Sequence, residues 1–444
     1  MESSSSFVKA RHHIVFLAGL FTALAVAFTI ETREYNQVMG NLSFAPSEPI
    51  PFRETRVLTE QEFQWAKTAW QYFENNYQDN TGLVNSVDGY PSTTMWDTAS
   101  YLMALISAHR LNVISYEEFN LKIEKALVTL SRLPLVKDQL PNKAYDTQTL
   151  QMVDYTNKPV EDENGIGWSA IDIGRILVPM NILVWQYPKF NKQVNSVLQH
   201  WQVGVMTKDG YLFGSRPAKS GKGLELVQEG RIGYEEYAAK ALSLMGRDVF
   251  NALKYADYLK LITIDGVEVP TDSRDPAKYH AHNYVVSESY ILDSIEFGAD
   301  SVSKIFAFRV YKAQEQRYER SGIITAVSED NIDQAPYFVY NTVFSDGKEW
   351  NTITDTGADA SEFKTLSTKA AFGWYALYDT AYADVLIAGV DELYSDSKGW
   401  YSGVYEKTGE ANKAITANTN GIVLESLAYI QNGALLNVGV EEQL

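Results

Sequence analysis

The 444-residue sequence predicts an all-α fold in which six helical hairpins close into a ring. The first observation is that two kinds of helical run alternate along the chain. One kind is amphipathic, and the other is almost free of charge after its first turn. The second observation is that glycine turns followed by β-prone residues connect them. A repeated unit that cannot bury its apolar face alone must pack against its neighbours, which favours a closed ring.

The amphipathic runs are predicted to be the outer helices. In the run from residue 116 to 132, charged residues such as Glu117 and Lys122 alternate with apolar residues such as Phe119 and Ile123. This pattern is expected of a helix that has one side in water. The predicted outer helices span residues 59–75, 116–132, 191–203, 249–261 and 302–317.

The uncharged runs are predicted to be the inner helices. The stretch 101–106 has no polar face, and a helix that is apolar on all sides belongs in a core. All inner helices should run in the same direction, so their first turns should meet at one rim of the ring. These helices open near residues 96, 169, 234, 287, 367 and 418.

Glycine turns before four of the inner helices predict short β-hairpin loops on that rim. Asn, Asp or Ser beside Gly supports a tight turn, and the residues that follow favour extended backbone. The turns lie at residues 81–84, 209–213, 321–325 and 398–401. We therefore expect the functional site at the rim where the inner helices begin.

The segments that open the inner helices carry a resemblance to a known family. They read Met-Trp-Asp-Thr-Ala at 95–99, Gly-Trp-Ser-Ala-Ile-Asp at 167–172, Gly-Tyr-Glu-Glu-Tyr at 233–237 and Asn-Thr-Asn-Gly at 418–421. The chain resembles the domain of unknown function 3131 family over about residues 58–436. It is also similar to the six-hairpin (α/α)6 toroids of carbohydrate-active enzymes, such as glucoamylases. This resemblance implies the toroid fold and a carbohydrate ligand, but the family motifs imply no particular reaction.

The N-terminal region predicts a location outside the cytoplasm. Lys9 and Arg11 precede an uncharged run at 14–30, which is either a retained membrane anchor or a signal peptide cleaved near Ala27. Positive charge before the run predicts that the rest of the chain lies on the outer side of the bacterial inner membrane, in the periplasm or outside the cell. The predicted organisation is a cytoplasmic N-terminus at 1–13, the membrane segment at 14–30, a linker at 31–57 and the toroid at 58–444.

Composition narrows the choice of ligand. A net charge of −18 disfavours nucleic acid and anionic lipid as partners and favours neutral or cationic ligands. The aromatic content of 13% provides rings that could stack on sugars. The chain has no cysteine, and among its histidines only His280 and His282 lie close together, so we expect no metal and no cofactor. Nothing in the sequence indicates a protein partner.

Acids in the first turns of the inner helices are the candidate catalytic groups. Glycoside hydrolysis needs one carboxyl group that is protonated and a second that is ionised. An acid at this place is also a common helix cap, and Thr94 and Ser169 fit a capping box with Asp97 and Asp172. Glu235 has no such cap residue before it, so Glu235 and Asp97 are the expected reactive pair. The four candidates are Glu235, Asp97, Asp172 and Glu288.

A second group of rim residues is predicted to bind the substrate. Each member also has a structural alternative: Arg175 could pair with Asp172, the tryptophans could pack in the core, and the asparagines could cap helices. The candidates are Trp96, Trp168, Arg175, Tyr234, Glu236, His282, Asp355, Trp400, Glu406, Asn418 and Asn420.

The sequence favours a membrane-anchored glycoside hydrolase that acts on an exported or envelope glycan through two carboxylates. The main alternative is a non-catalytic glycan-binding or scaffold subunit of a polysaccharide export or envelope-assembly system. A lyase or epimerase with His282 or Tyr284 as base near Asn283 is a third possibility. The toroid fold hosts more than one chemistry, so the alternatives stay open.

Overall fold

The computed structural model describes residues 49–220, 223–229, 231–279 and 283–437, together with Thr22. The predicted membrane segment at 14–30, apart from Thr22, lies outside the described residues, and so does His282. In the part of the chain that the structure describes, no helix is both long enough and apolar enough to cross a membrane.

Within the described ranges, six inner helices form a closed cycle, in which each packs against the next and the last packs against the first. Five outer helices pack behind them. The prediction of a ring built on inner and outer helices is therefore confirmed. The inner helices are α2 (Met95–Arg110), α4 (Ala170–Gln186), α6 (Tyr234–Leu244), α7 (Ser287–Phe297), α9 (Thr368–Leu377) and α11 (Ala417–Asn432), and the outer ones are α1 (Glu60–Asn76), α3 (Tyr116–Leu130), α5 (Asn191–His200), α8 (Ser301–Ser321) and α10 (Ala381–Ala388).

Local sequence explains where several of these helices begin. A hydroxyl side chain precedes each of them and accepts a hydrogen bond from the backbone amide three residues on, which satisfies one of the free amides of the first turn. These caps are Thr59, Thr94, Ser115, Ser169 and Thr416.

Small residues let the inner helices approach one another closely. A Cβ atom built on Gly174 in α4 would lie 2.4 Å from the Cβ atom of Ala238 in α6. A Cβ atom on Gly421 in α11 would lie 3.0 Å from the backbone oxygen of Ser100 in α2. Glycine is thus required where these ring helices cross.

The term all-α is too narrow for this fold, because short antiparallel strands fill the loops between outer and inner helices. The sheets have the orders β1-β4-β5, β2-β3, β6-β7-β8, β9-β10, β11-β12-β15, β13-β14 and β16-β18-β17, with β19 also paired to β18. The strands are β1 (Ser92–Thr94), β2 (Leu135–Val136), β3 (Leu140–Pro141), β4 (Ala144–Asp146), β5 (Met152–Val153), β6 (Thr207–Lys208), β7 (Tyr211–Pro217), β8 (Leu224–Gln228), β9 (Leu259–Ile264), β10 (Val267–Asp272), β11 (Glu329–Asn331), β12 (Phe338–Asn341), β13 (Phe344–Ser345), β14 (Lys348–Glu349), β15 (Thr352–Ile353), β16 (Thr365–Ser367), β17 (Tyr394–Ser395), β18 (Gly399–Tyr405) and β19 (Ala411–Ile415).

The predicted outer helix at 249–261 is wrong. Turns occupy most of this range, and its last residues enter the hairpin β9-β10 around Asp265 and Gly266. Both turn residues have positive φ, of 48° and 82°, and the β-branched residues on either side favour strands. The hairpin packs against α8 and takes the place of the missing outer helix.

A buried charge network occupies the core of the ring. The Arg175 guanidinium donates to Glu296 at 2.7 Å, to Glu425 at 3.0 Å and to the hydroxyl of Tyr237 at 2.8 Å. It also lies 4.9 Å from the ring centre of Trp96. Burial raises the pKa of Glu425 well above its usual range, the nearby Arg175 opposes this increase, and the charge of Glu296 adds to it. Arg175 therefore lies in the core, and its carboxylate partners are Glu296 and Glu425 rather than the alternative partner Asp172.

The close approach of α4 and α6 predicts that Gly174→Ala destabilises the ring. Helix propensity alone would favour alanine by about 1 kcal/mol. Overpacking against Ala238 should outweigh this and lower the free energy of unfolding by about 1 to 3 kcal/mol, measured by urea denaturation. In the control Gly204→Ala, the nearest atom, Arg247 Nη1, would lie 3.7 Å from the added Cβ, and we expect little change. Equal stability of both variants would contradict the close contact.

Candidate active site

Glu288, in the first turn of α7, lies at the centre of the rim where the inner helices begin. Its Oε1 atom accepts hydrogen bonds from Trp96 Nε1 at 3.0 Å and from Asn418 Nδ2 at 2.9 Å. Lys369 forms an ion pair with its Oε2 atom. The contacts bring α2, α9 and α11 together on one carboxylate, as expected if the inner helices open on the same face. They also leave Glu288 only 1% exposed.

Asp97, in the first turn of α2, accepts hydrogen bonds from Ser86 Oγ at 2.6 Å and Thr94 Oγ1 at 2.7 Å. Both bonds go to Oδ2. Burial raises the pKa of Asp97, the two hydroxyls and Lys369 oppose the increase, and Glu288 adds to it. The carboxylate is thus oriented by hydroxyl groups, and it does not reach the backbone amide of its cap residue.

Asp172, in the first turn of α4, has a strongly raised pKa. Its Oδ1 atom accepts a hydrogen bond from Ser169 Oγ at 3.0 Å. Burial, followed by the nearby charge of Glu229, raises the pKa of Asp172 to about 7, and Asp97 adds a smaller effect. Glu229 is held beside it, since its Oε2 accepts a hydrogen bond from the amide of Ala170 at 2.5 Å. Asp172 is therefore partly protonated at neutral pH.

Glu329, on β11, was not predicted from the sequence. The hydroxyl of Tyr234 donates to its Oε1 atom, and its Oε2 atom is buried without a hydrogen-bond partner among the described residues. Burial and the charge of Glu288 raise the pKa of Glu329, while Arg231 and Lys369 lower it. An unpaired buried carboxylate oxygen is costly unless a ligand or water satisfies it.

The acids of the rim come from different helices and strands. Asp97 and Asp172 belong to α2 and α4, which are neighbours in the ring. Glu329 contacts Tyr234 of α6 and is influenced by Glu288 of α7 and Lys369 of α9, on the far side of the cycle. Several carboxyl groups therefore lie near the starts of the inner helices, and one of them, Asp172, has a pKa near neutral, as general acid catalysis needs.

Glu235 and Glu236 do not join these groups. Arg274 Nη1 donates to Glu235 Oε2 at 2.7 Å, and Arg274 also pairs with Asp272. Glu236 Oε2 accepts a hydrogen bond from the amide of Gly233 at 2.7 Å and so caps α6. Glu235 is 2% exposed and Glu236 is 3% exposed. The ion pair gives Glu235 a structural role that sequence reasoning missed, because Arg274 is far away along the chain.

Several predicted binding residues are also structural. Trp168 and Trp400 are buried, and each donates its indole N–H to a backbone oxygen. Asn420 is fully buried and accepts a hydrogen bond from the amide of Trp400 at 2.8 Å. Glu406 makes two hydrogen bonds with Arg317, at 2.7 and 2.8 Å.

Four of the predicted binding residues, Trp96, Tyr234, Asp355 and Asn418, lie near the acids of the rim. Trp96 and Asn418 contact Glu288, and Tyr234 contacts Glu329. Asp355 is exposed on a turn, close enough to Tyr340 to raise its pKa. The structure describes no group of three or more His, Asp or Glu residues that could hold a metal ion within its described ranges.

Comparison with known families agrees with this architecture. The family model described as "Protein of unknown function (DUF3131)" matches residues 64–433. The chain belongs to the DUF3131 family. Among functionally curated proteins, the search finds no significant match.

Solved structures with the same fold include carbohydrate-active enzymes. A glucoamylase-like protein from Bacteroides fragilis is 12% identical with a TM-score of 0.63, and the match covers 88% of this chain and 95% of that one. An endo-β-1,2-glucanase from Chitinophaga pinensis, in complex with sophorotriose and glucose, is 13% identical with a TM-score of 0.62 and coverage of 86% and 94%. An endo-β-1,2-glucanase from Talaromyces funiculosus, in complex with sophorose, is 10% identical with a TM-score of 0.55 and coverage of 84% of both chains. At these identities the similarity establishes that this DUF3131 member shares the toroid fold.

The buried ion pair predicts that Glu235→Gln lowers stability. The variant leaves Arg274 with one carboxylate partner fewer, so the free energy of unfolding should fall by about 1 to 3 kcal/mol. Urea denaturation measures this loss, and Glu124→Gln, an exposed position on α3, serves as a control with the same chemical change. Unchanged stability combined with a loss of glycan cleavage would show that Glu235 is a reacting group after all.

Proposed function

We propose that this protein is a glycoside hydrolase that cleaves a neutral glycan at the rim of the ring. The observation that carries the proposal is the presence of two carboxyl groups with raised pKa values near the starts of the inner helices, Asp172 beside Ser169 and Glu329 beside Tyr234. The fold shared with endo-β-1,2-glucanases and glucoamylase-like proteins supports a glycan as the ligand.

Asp172 is the proposed proton donor. A pKa of about 7 keeps a large fraction of this carboxyl group protonated under neutral conditions. Its Oδ1 atom is oriented by Ser169, which leaves the other oxygen to meet the substrate. In the proposed reaction, Asp172 gives its proton to the glycosidic oxygen as the bond from that oxygen to the anomeric carbon breaks.

Glu329 is the proposed base. Arg231, Lys369 and the hydroxyl of Tyr234 favour its ionised form, and its Oε2 atom has no hydrogen-bond donor among the described residues. Glu329 takes a proton from the water that attacks the anomeric carbon. A ring of helices holds opposite acids apart, which favours the wider carboxyl spacing of about 6.5 to 9.5 Å and inversion at that carbon.

Asp97 and Glu288 have supporting roles in this proposal. Asp97 adds negative charge beside Asp172 and so helps to keep its proton in place. Glu288 accepts the indole N–H of Trp96 and orients that ring at the floor of the site. Burial raises the pKa of Tyr284, so its phenol stays protonated at neutral pH. This weakens the lyase or epimerase alternative in which Tyr284 acts as the base.

We also propose that the ring functions outside the cytoplasmic membrane. The uncharged run at 14–30 behind Lys9 and Arg11 supports this location. A C-terminal reporter should be active outside the cytoplasm, and a chain that lacks residues 1–30 should still fold. A C-terminus detected in the cytoplasm would contradict this proposal.

The catalytic assignment predicts that Asp172→Asn and Glu329→Gln each lower kcat on a cleaved glycan by about 100-fold or more, because an amide cannot exchange the required proton. Linear β-1,2-, β-1,3- and β-1,4-linked glucans and maltodextrin are the first substrates to assay, by release of reducing ends. Thermal midpoints should stay within a few degrees of the parent protein, and Glu124→Gln controls for the loss of one acid far from the rim.

Retention of full activity by either variant would overturn its role. If the parent protein binds these glycans and cleaves none, the non-catalytic binding or scaffold function becomes the better account. For a cleaved glycan, proton NMR of the fresh product should show inverted anomeric configuration.

A further inference from the structure

A cavity of about 300 Å³ lies between the loop at 87–88 and the hairpin formed by β18 and β19. Val87, Ala414 and Ile415 form its apolar wall, and the half-buried Tyr401 also lines it. The charged residues of the lining are Asp88, Lys398 and Lys413. The cavity thus combines an apolar wall and a tyrosine with charged groups of both signs, and its volume is at the lower end of the range for small-molecule sites.

A β-bulge in β19 shapes this cavity. Between two paired positions, β18 advances by two residues while β19 advances by three, from Asn412 to Ile415. Side chains normally alternate between the two faces of a strand, and the extra residue allows the consecutive Lys413 and Ala414 to line the same cavity. A hydrogen bond holds the bulge, because Ser402 Oγ donates to the backbone oxygen of Ala414 at 3.0 Å.

The two segments that bound the cavity continue directly into the rim. The loop at 87–88 follows Ser86, whose Oγ donates to Asp97 at 2.6 Å. Strand β19 ends immediately before Thr416, the cap of α11. The two segments are joined there, since the backbone oxygen of Ser86 accepts a hydrogen bond from the amide of Ala417 at 2.9 Å. The cavity therefore adjoins the part of the rim that holds Asp97.

The charged side chains of the cavity supply both donors and acceptors. Lys398 pairs with Asp88 Oδ2 at 2.7 Å, and Asn76 Nδ2 donates to Asp88 Oδ1 at 3.2 Å, so the carboxylate is held in place. Lys413 is exposed, and its ammonium group can donate to a ligand. A hydroxyl group suits such a lining, because it can donate to a carboxylate and accept from an ammonium group. An anionic ligand would bring its charge close to Asp88, so an uncharged ligand fits better.

We infer that this cavity is an outer subsite, which binds an uncharged pyranose of the glycan chain away from the bond that is cleaved. The inference rests on the proposed function and adds the place where a longer chain is held. The C–H groups on the face of a pyranose can pack on Tyr401 and on the apolar wall, while its hydroxyls bond to Asp88 and Lys413. A second contact on the same chain strengthens binding only of glycans long enough to reach it. Longer chains should therefore bind more tightly than short ones.

Chain-length dependence of binding tests the outer subsite separately from catalysis. Isothermal titration of Asp172→Asn with the trisaccharides and hexasaccharides of β-1,2-, β-1,3-, β-1,4- and α-1,4-linked glucose identifies a chain that binds. The hexasaccharide should bind about tenfold more tightly than the trisaccharide. Adding Tyr401→Ala should remove most of this gain and change trisaccharide binding less than about twofold, and Lys413→Ala should reduce the gain by about threefold. Phe250→Ala removes a ring that is 55% exposed in the turns before β9 and should change neither affinity.

Each result decides for or against the outer subsite. A hexasaccharide that binds no more tightly than the trisaccharide would overturn it, and so would the absence of binding to all eight sugars. A gain that persists in Tyr401→Ala would overturn it as well; if circular dichroism shows that this variant is unfolded, the exposed substitution Lys413→Ala decides instead. An equal loss of trisaccharide and hexasaccharide binding would show that these residues do not form a separate subsite.

The outer subsite and the proposed reaction can fail independently. If the gain depends on Tyr401 but the unmodified protein cleaves none of these glycans, the outer subsite stands and the hydrolase function fails. If the protein cleaves a glycan and the folded Tyr401→Ala variant keeps the full gain, the hydrolase function stands and the outer subsite fails.

Discussion

The centre of this ring depends on the hydrogen bonds and the ion pair that the Glu288 carboxylate makes. It receives donors from three other inner helices, through Trp96, Lys369 and Asn418. Below it, Arg175 stacks on Trp96 and joins α4 to Glu296 of α7 and Glu425 of α11. Removing one partner from a buried network of this kind leaves an uncompensated charge, so the network fixes how the inner helices meet.

This central layer also affects the pKa values of the acids at the rim. Once the floor of the site is built from buried charges and an indole ring, the acids on the rim lose much of their contact with water. Desolvation is the first cause of the raised pKa values of Asp97, Asp172 and Glu329, and mutual repulsion adds to it. The same burial that costs stability thereby raises the pKa values of these carboxyl groups, to about 7 in the case of Asp172.

Much of the ring could be predicted from the sequence, because the inner helices are apolar on all sides and begin at hydroxyl caps such as Thr94 and Ser169. The candidate acids Asp97, Asp172 and Glu288 could be predicted because they lie in the first turns of inner helices. Glu329 could not be found in this way, since it lies on a short strand and reaches the site only through the tertiary fold. The ion pair of Glu235 could not be predicted either, because its partner Arg274 lies in another segment. The turns at 249–258 satisfied a helical pattern locally, yet the hairpin that follows them provides the packing against α8.

The most direct test of this account is the pKa of the Asp172 carboxyl group. It can be measured by carbon-13 NMR titration of protein labelled at aspartate, with the signal assigned by its absence in Asp172→Asn. We expect a pKa near 7 in the parent protein, and a lower value in Glu229→Gln, where the neighbouring negative charge is gone. A pKa near the ordinary value of about 4 in the parent protein would contradict the central claim, because Asp172 would then hold no proton to donate at neutral pH.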